Sequence, residues 1–241
     1  MIIMKIYAIS DLHLSLGVDK PMDIFGYSWQ GYMERIKENW NATVKEEDMV
    51  VIPGDISWAM RLEEARNDFL FIEGLKGRKI ISKGNHDYWW SGTHKMNEIF
   101  VKWGINSVSV LHNNSYETDD YVICGTRGWK HPMSTDFTDL DAKIYQREYG
   151  RLKLSFESVK AKEKPVICAL HYPPFGPAGE ESDFVLLMKH FNVKVCVYGH
   201  IHKNFESEYI VQGNKDGIIY HLVSSDYLKF NVRRIKSEIS V

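Results

Sequence analysis

Five apolar runs in this chain end abruptly in polar residues. Asp11-Leu12-His13 follows Lys5–Ser10, and Gly54-Asp55 follows Met49–Ile52. Gly84-Asn85-His86-Asp87 follows Lys79–Ser82, His171 follows Val166–Leu170, and Gly199-His200-Ile201-His202 follows Val195–Tyr198. The runs are rich in Val and Ile and apolar almost throughout, as expected of strands covered on both faces. Further strand signals lie at Val108–Leu111, Tyr121–Gly125 and Gly217–Val223. Between them, helical periodicity spans Gly31–Lys45, Arg61–Leu75, Thr93–Lys102, Leu140–Lys162 and Ser182–Phe191, with Thr93, Asp139 and Ser182 as N-caps. Strands alternating with helices predict βαβ units, and turn chemistry at Asn113-Asn114 and Gly213–Gly217 predicts hairpins in the second half. The expected architecture is a layered, mixed α/β domain.

In open α/β sheets, ligands gather at the C-terminal ends of the strands. Five strands here carry a polar side chain to that position, and Gly54, Gly84 and Gly199 let the backbone approach a small ligand. Taken singly, each motif is ordinary turn or surface chemistry. Together, Asp11, His13, Asp55, Asn85, His171, His200 and His202 supply enough carboxylate, amide and imidazole donors for two metal ions. If the backbone stays extended, Asp11 and His13 share one side, as do His200 and His202. Paired cations acidify a shared water and bind phosphate oxygens, which phosphate-ester hydrolysis needs near neutral pH. Without thiolate ligands, this set suits Mn, Fe or Zn in an open site rather than a closed structural zinc centre.

The order D-x-H, G-D, G-N-H-D, H, G-H-x-H resembles the signature of the calcineurin-like metallophosphoesterases. That resemblance implies a four-layer αββα sandwich, two mixed β-sheets flanked by helices, spanning residues 1–241 as a single domain. It also implies a metal held by Asp11, His13, Asp55 and His202, and a second held by Asp55, Asn85, His171 and His200, with Asp55 bridging. His86 would then be catalytic, as a general acid or electrostatic aid, with Asp87 beside it to orient or brace the loop. The protein-phosphatase branch carries GDxxDRG and GNHExR. Here Trp58 replaces the second Asp and the arginines are missing, which argues against that branch.

The expected substrate is a small phosphodiester or phosphomonoester, cleaved by a metal-bound hydroxide at the binuclear site, with Mn the first choice of metal. Trp58, Tyr172, Arg127 and His131 are the candidate substrate contacts. Other aromatic residues near the motifs, Tyr88, Trp89 and Trp90, fit either a rim or core packing, and the proline-rich loop Tyr172–Ser182 is placed as a cleft wall. The formal net charge of -2 gives no sign of a nucleic-acid surface, which disfavours a single-strand nuclease. A catalytically silent metal-binding module on the same scaffold is the other alternative, and intact ligand positions speak against it. Cys124, Cys168 and Cys196 all sit in apolar runs, so free thiols are expected. No apolar stretch reaches the roughly 20 residues of a membrane span and no leader pattern opens the chain, so a cytoplasmic location is expected. The basic residues Lys229, Arg233, Arg234 and Lys236 alternate with apolar ones and read as the solvated face of a strand.

Overall fold

The computed structural model describes residues 4–202, 205 and 209–236; the domain expected over 1–241 extends beyond them at both ends. One sheet has the order β11-β1-β2-β3-β4. Its strands β1 (Ile6–Ala8), β2 (Met49–Pro53), β3 (Arg78–Ser82) and β4 (Val108–Val110) are parallel, and β11 (Arg233–Ile235) runs antiparallel along the edge of β1. The other sheet has the order β5-β6-β7-β8-β10-β9. Here β6 (Val122–Thr126), β7 (Val166–Leu170), β8 (Val193–Tyr198) and β10 (Ile218–Leu222) are parallel, and β5 (Tyr116–Glu117) and β9 (Gly213–Lys215) add short antiparallel edges.

Side-chain alternation along these strands sorts the core into three layers of packing. Ile6, Ala8, Val51, Ile80, Ile167, Ala169, Val195 and Val197 face one another between the sheets. The opposite face of the first sheet packs Ile52, Ile81 and Val110 against Ile36 and Trp40 of α1 (Tyr32–Thr43), Phe69 and Ile72 of α2 (Arg66–Glu73), and Phe100 of α3 (Thr93–Trp103). The opposite face of the second sheet packs Leu170, Tyr198 and Tyr220 against Leu152 and Phe156 of α4 (Asp139–Glu157) and Phe184 and Met188 of α5 (Asp183–His190). The result is the αββα sandwich. Each aromatic of the outer layers is worth about 3–5 kcal/mol against truncation to alanine.

Several boundaries differ from expectation for physical reasons. Thr138, not Asp139, caps α4, because its hydroxyl accepts from Asp141 N while the Asp141 carboxylate accepts from Thr138 N at 2.9 Å. Gly92 rather than Thr93 caps α3. Ser182 does cap α5 in backbone terms, but its hydroxyl donates to Pro174 O. The helix expected over Arg61–Leu75 is a 3₁₀ turn, Leu62–Ala65, running into α2. Arg233 and Arg234 are exposed on β11, whereas Phe230 is buried just before it. The three cysteines are free and buried, and stand in register across β6, β7 and β8. Burial pushes the Cys124 thiol up to about 12.

At their C-terminal ends the sheets are stitched together. Ser10 N donates to Val223 O (2.8 Å) and Ser225 N to Ser10 O (3.0 Å), joining the end of β1 to the end of β10. Gly199 N donates to His171 O at 3.1 Å, tying the ends of β7 and β8. Every motif found in the sequence opens on this seam.

Candidate metal centre

Asp11, His13, Asp55 and His200 all have left-handed backbones, with φ of 58°, 45°, 52° and 72°. The extended backbone expected at Asp11-Leu12-His13 and His200-Ile201-His202 is therefore corrected: the pairs are brought together by turning. Such conformations cost about 1–3 kcal/mol each in a non-glycine residue and persist only where surroundings over-determine them. Here Asp11 N donates to Gly54 O and His13 N to Asp55 O, both at 3.0 Å. Gly84 and Gly199 serve by close approach. A Cβ on Gly84 would run into the Asp55 carboxylate, and one on Gly199 into Ser10 and Asp11.

Three groups of potential ligand atoms, each mutually within 4.8 Å, overlap at the seam: Asp11 with His13 and His202, His13 with Asp55 and His86, and Asp11 with Asp55 and His171. Beside them, Asn85 Oδ1 lies 2.6 Å from His171 Nε2 and 2.8 Å from His200 Nδ1. All seven expected metal ligands are thus brought together. His86 meets them too: its Nδ1 donates to Asp55 Oδ2 at 2.7 Å, and its ring is about one-third exposed.

The donor set fits cations on geometric grounds. His171 Nδ1 donates to Pro53 O at 3.1 Å, so in the neutral ring the Nε2 lone pair faces the oxygens of Asn85 and, at 3.5 Å, Asp55. His202 Nδ1 donates to Asp226 Oδ1 at 2.9 Å, which turns Nε2 towards Asp11 Oδ1 (3.2 Å) and His13 Nε2 (3.3 Å). Lone pairs converging on lone pairs are relieved by positive charge between them. The partners behind the two imidazoles fix the tautomers that such ligation needs.

The electrostatics agree. Burial raises the Asp11 carboxyl, but His202 and His171 more than offset it and hold it well below the usual carboxylate range. Asp55 is likewise low, burial being outweighed by His171, His86 and His13. Burial lowers His13 to about 4 and, with His171 adding to it, His200 to about 3, so both stay neutral with lone pairs available. For His202 burial is outweighed by Asp11 and Asp226, which push it up to about 10. A cation entering there would take the place of that proton.

Asp87, named with His86 and expected to orient or brace its loop, sits among backbone donors rather than at the cleft. It is fully buried and accepts from the backbone amides of Asp55 (2.9 Å), Ile56 (2.8 Å) and Gly84 (2.8 Å), and from Trp89 Nε1 (3.0 Å). It locks the β2 and β3 loops to each other and touches no open space. Trp89 is accordingly core, while Tyr88 is exposed. Trp58 stacks on His13 with ring centroids 4.8 Å apart, and Tyr172 lies 4.1 Å from the His200 ring. His131 lines a cleft of about 280 Å³ with Lys130, Tyr172, His200, His202 and Tyr209. Pro173, Phe175 and Pro177 line it as well, so the loop starting at Tyr172 does form a wall. The Arg127 guanidinium is not presented openly: it donates to Glu148 Oε1 at 3.0 Å and lies over the Trp129 ring. Its carbonyl accepts from His171 N and Tyr172 N at 3.0 and 2.9 Å, respectively.

Sequence reasoning missed Asp226. The signal was present: Ser224-Ser225-Asp226 ends the apolar run of β10 in the same way as the five motifs end theirs. Ser10, whose hydroxyl donates to Asp11 Oδ2, was missed as well.

The family model described as calcineurin-like phosphoesterase matches residues 4–204. The chain belongs to that family. That family is dependent on a binuclear metal centre, and Asp11, Asp55 and the histidines form groups that could hold metal ions. Among solved structures, the phosphopantetheinyl hydrolase PptH from Mycobacterium tuberculosis has a TM-score of 0.60 at 12% identity, covering 98% of this chain and 97% of that one. TT1561 of Thermus thermophilus has a TM-score of 0.57 at 12% identity, covering 98% and 100%. The protein of unknown function AQ665 from Aquifex aeolicus has a TM-score of 0.53 at 16% identity, covering 96% of each chain. These likenesses show the fold. No curated protein matches the chain. No helix among the described residues is long and apolar enough to cross a membrane.

Proposed function

We propose that this chain is a metal-dependent phosphohydrolase that cleaves a small phosphomonoester or phosphodiester at the seam of its two sheets. The observation that carries this reading is the convergence of seven ligand-type side chains and His86 from five strand ends, with lone pairs facing one another. Asp11, His13, Asp55 and His202 would hold one cation, and Asp55, Asn85, His171 and His200 the other, with Mn, Fe and Zn all compatible with the donors. When bound, the two cations would supply an activated water and neutralise charge on the transferring phosphoryl group.

The protein's own residues do the rest. Burial lowers the proton affinity of His86, but Asp55 at 2.7 Å reverses that and raises it above the ordinary histidine value. Partly exposed at the mouth, His86 passes a proton to the departing oxygen, a step worth about 10²–10⁴ in rate. Trp58 packs against His86 with ring centroids 4.6 Å apart and limits its swing. Tyr172 and His131 receive the organic part of the ester in the cleft beside His200. The small cleft and the net charge of -2 favour a small molecule over nucleic acid. Domain extent over 1–241 and a cytoplasmic site of action belong to the same proposal.

The test is a paired initial-rate assay on manganese-reconstituted protein, with bis(p-nitrophenyl) phosphate and p-nitrophenyl phosphate. Turnover of either ester that disappears with chelator supports the proposal, and the preferred ester fixes the subclass. No turnover of either, by protein shown to carry metal, would contradict it.

A further inference from the structure

Beside Asn85, several cations share the single carboxylate of Glu148. Lys83 leaves β3 directly before Gly84-Asn85, and Arg127 leaves β6 and holds the backbone of His171 through its carbonyl. Lys83 is therefore on the segment that carries Asn85, and Arg127 braces the segment that carries His171. Lys83 has Arg127 and Arg151 as positive neighbours and Asp87 and Glu148 as negative ones.

Neither carboxylate is free to serve it. Asp87 is consumed by backbone amides and Trp89. Glu148, fully buried, accepts from Thr126 Oγ1 (2.7 Å), Arg127 (3.0 Å) and Arg151 (2.7 Å), with Arg147 at 3.8 Å. Lys83 is half-buried, yet among the described residues its Nζ makes no hydrogen bond or ion pair. The Arg127 side chain is only 10% exposed, and its Nε is buried with no acceptor. Withdrawing cationic N–H groups from water without an acceptor is costly. A chain with a slightly negative net charge has nonetheless concentrated that cost at one place next to its site.

We propose that Lys83, backed by Arg127 and Arg151, forms a second anion subsite, so that the substrate carries another anionic group, phosphate or carboxylate, besides the scissile phosphate ester. This rests on the proposed function and narrows it to small polyanionic phosphate esters. Lys83, the cation that no acceptor claims among the described residues, would make the direct contact, as a point charge on a flexible stem. Arg127 and Arg151 supply field from behind it, their guanidiniums already engaged by Glu148.

The experiment uses manganese-loaded full-length protein hydrolysing bis(p-nitrophenyl) phosphate. AMP, ADP and adenosine 3′,5′-bisphosphate compete as inhibitors with the same base and sugar. In the wild type, ADP or the bisphosphate should inhibit about tenfold more tightly than AMP, the scale of one added charged contact. Lys83→Met should abolish that gain and Lys83→Arg should keep most of it. Arg151→Met, on the surface of α4, should reduce it, and reads the same charge should Lys83→Met fail to fold. Equal inhibition by all three ligands, or a gain that survives Lys83→Met, overturns the subsite. Absence of turnover on the nitrophenyl esters would strike the proposed function alone; calorimetric titration of the same ligands would then decide on Lys83 directly.

Discussion

The two sheets build the two sides of the site from different chemistry. The strand ends of the first sheet bring Asp11, His13, Asp55, Asn85 and His86, and therefore both carboxylates, the amide and most of the left-handed backbone. The strand ends of the second bring His171, His200 and His202, imidazoles only, each aimed by a partner or packed by an aromatic ring. The first side carries the charge, and its cost is structural: buried anions, strained turns and the Asp87 brace. The second side carries direction. Two of the three ligand groups, Asp11 with His13 and His202 and Asp11 with Asp55 and His171, draw on both sheets, which is why the proposed activity is assigned to the seam between them.

That division can be broken most severely at its centre. Asp55→Asn removes a carboxylate that faces histidines from both sheets, and should lower turnover of the nitrophenyl esters by more than about 10³-fold, on the scale of losing a principal electrostatic group. Circular dichroism should remain that of the wild type. His86→Ala leaves all seven proposed ligands in place, so it should cost about 10²–10⁴ in kcat while metal content by mass spectrometry stays unchanged. A loss of metal in that variant would move His86 from proton donor to ligand.

Asp226→Asn sharpens the comparison on the second side. It replaces the charged acceptor that aims His202 with a neutral amide, and metal affinity should fall by about 10–100-fold, read by chelator competition. A smaller effect belongs to the first side's support. Asp68 accepts from Leu16 N at 2.7 Å and from Ser57 Oγ, and burial raises its carboxyl from 3.8 to about 6 despite those bonds. The folded state then binds the proton more tightly than the unfolded chain. The resulting stabilisation is complete below about pH 4 and lost as pH rises through about 6. Asp68→Asn should flatten that dependence by up to about 3 kcal/mol between pH 4 and 7, measured by denaturant titration.

Much of this could be read in the chain, because strand-end motifs are local: an apolar run followed by glycine and a polar residue fixes both the strand and where its side chain emerges. His13 and His200 could be named from order alone. Their left-handed turns could not, since φ there is imposed by hydrogen bonds to Gly54 and Asp55 from a distant strand. A bracing role for Asp87 could be guessed from its place beside His86, but only the fold shows which donors from the β2 and β3 loops close around it. Asp226 reaches His202 from another strand end across 24 positions. Arg127 looked available in sequence and is claimed by Glu148 from α4, a pairing that requires the packed helix.

The central claim is that the seam holds two cations and that hydrolysis depends on them. The most direct measurement is metal content per chain, by mass spectrometry, in parallel with initial rate as manganese is titrated into chelator-treated protein. The account predicts that activity rises with occupancy and saturates at two ions per chain, and that Asp55→Asn neither fills nor turns over. Full activity in protein shown to be free of metal, or saturation with no turnover of either nitrophenyl ester, would contradict it.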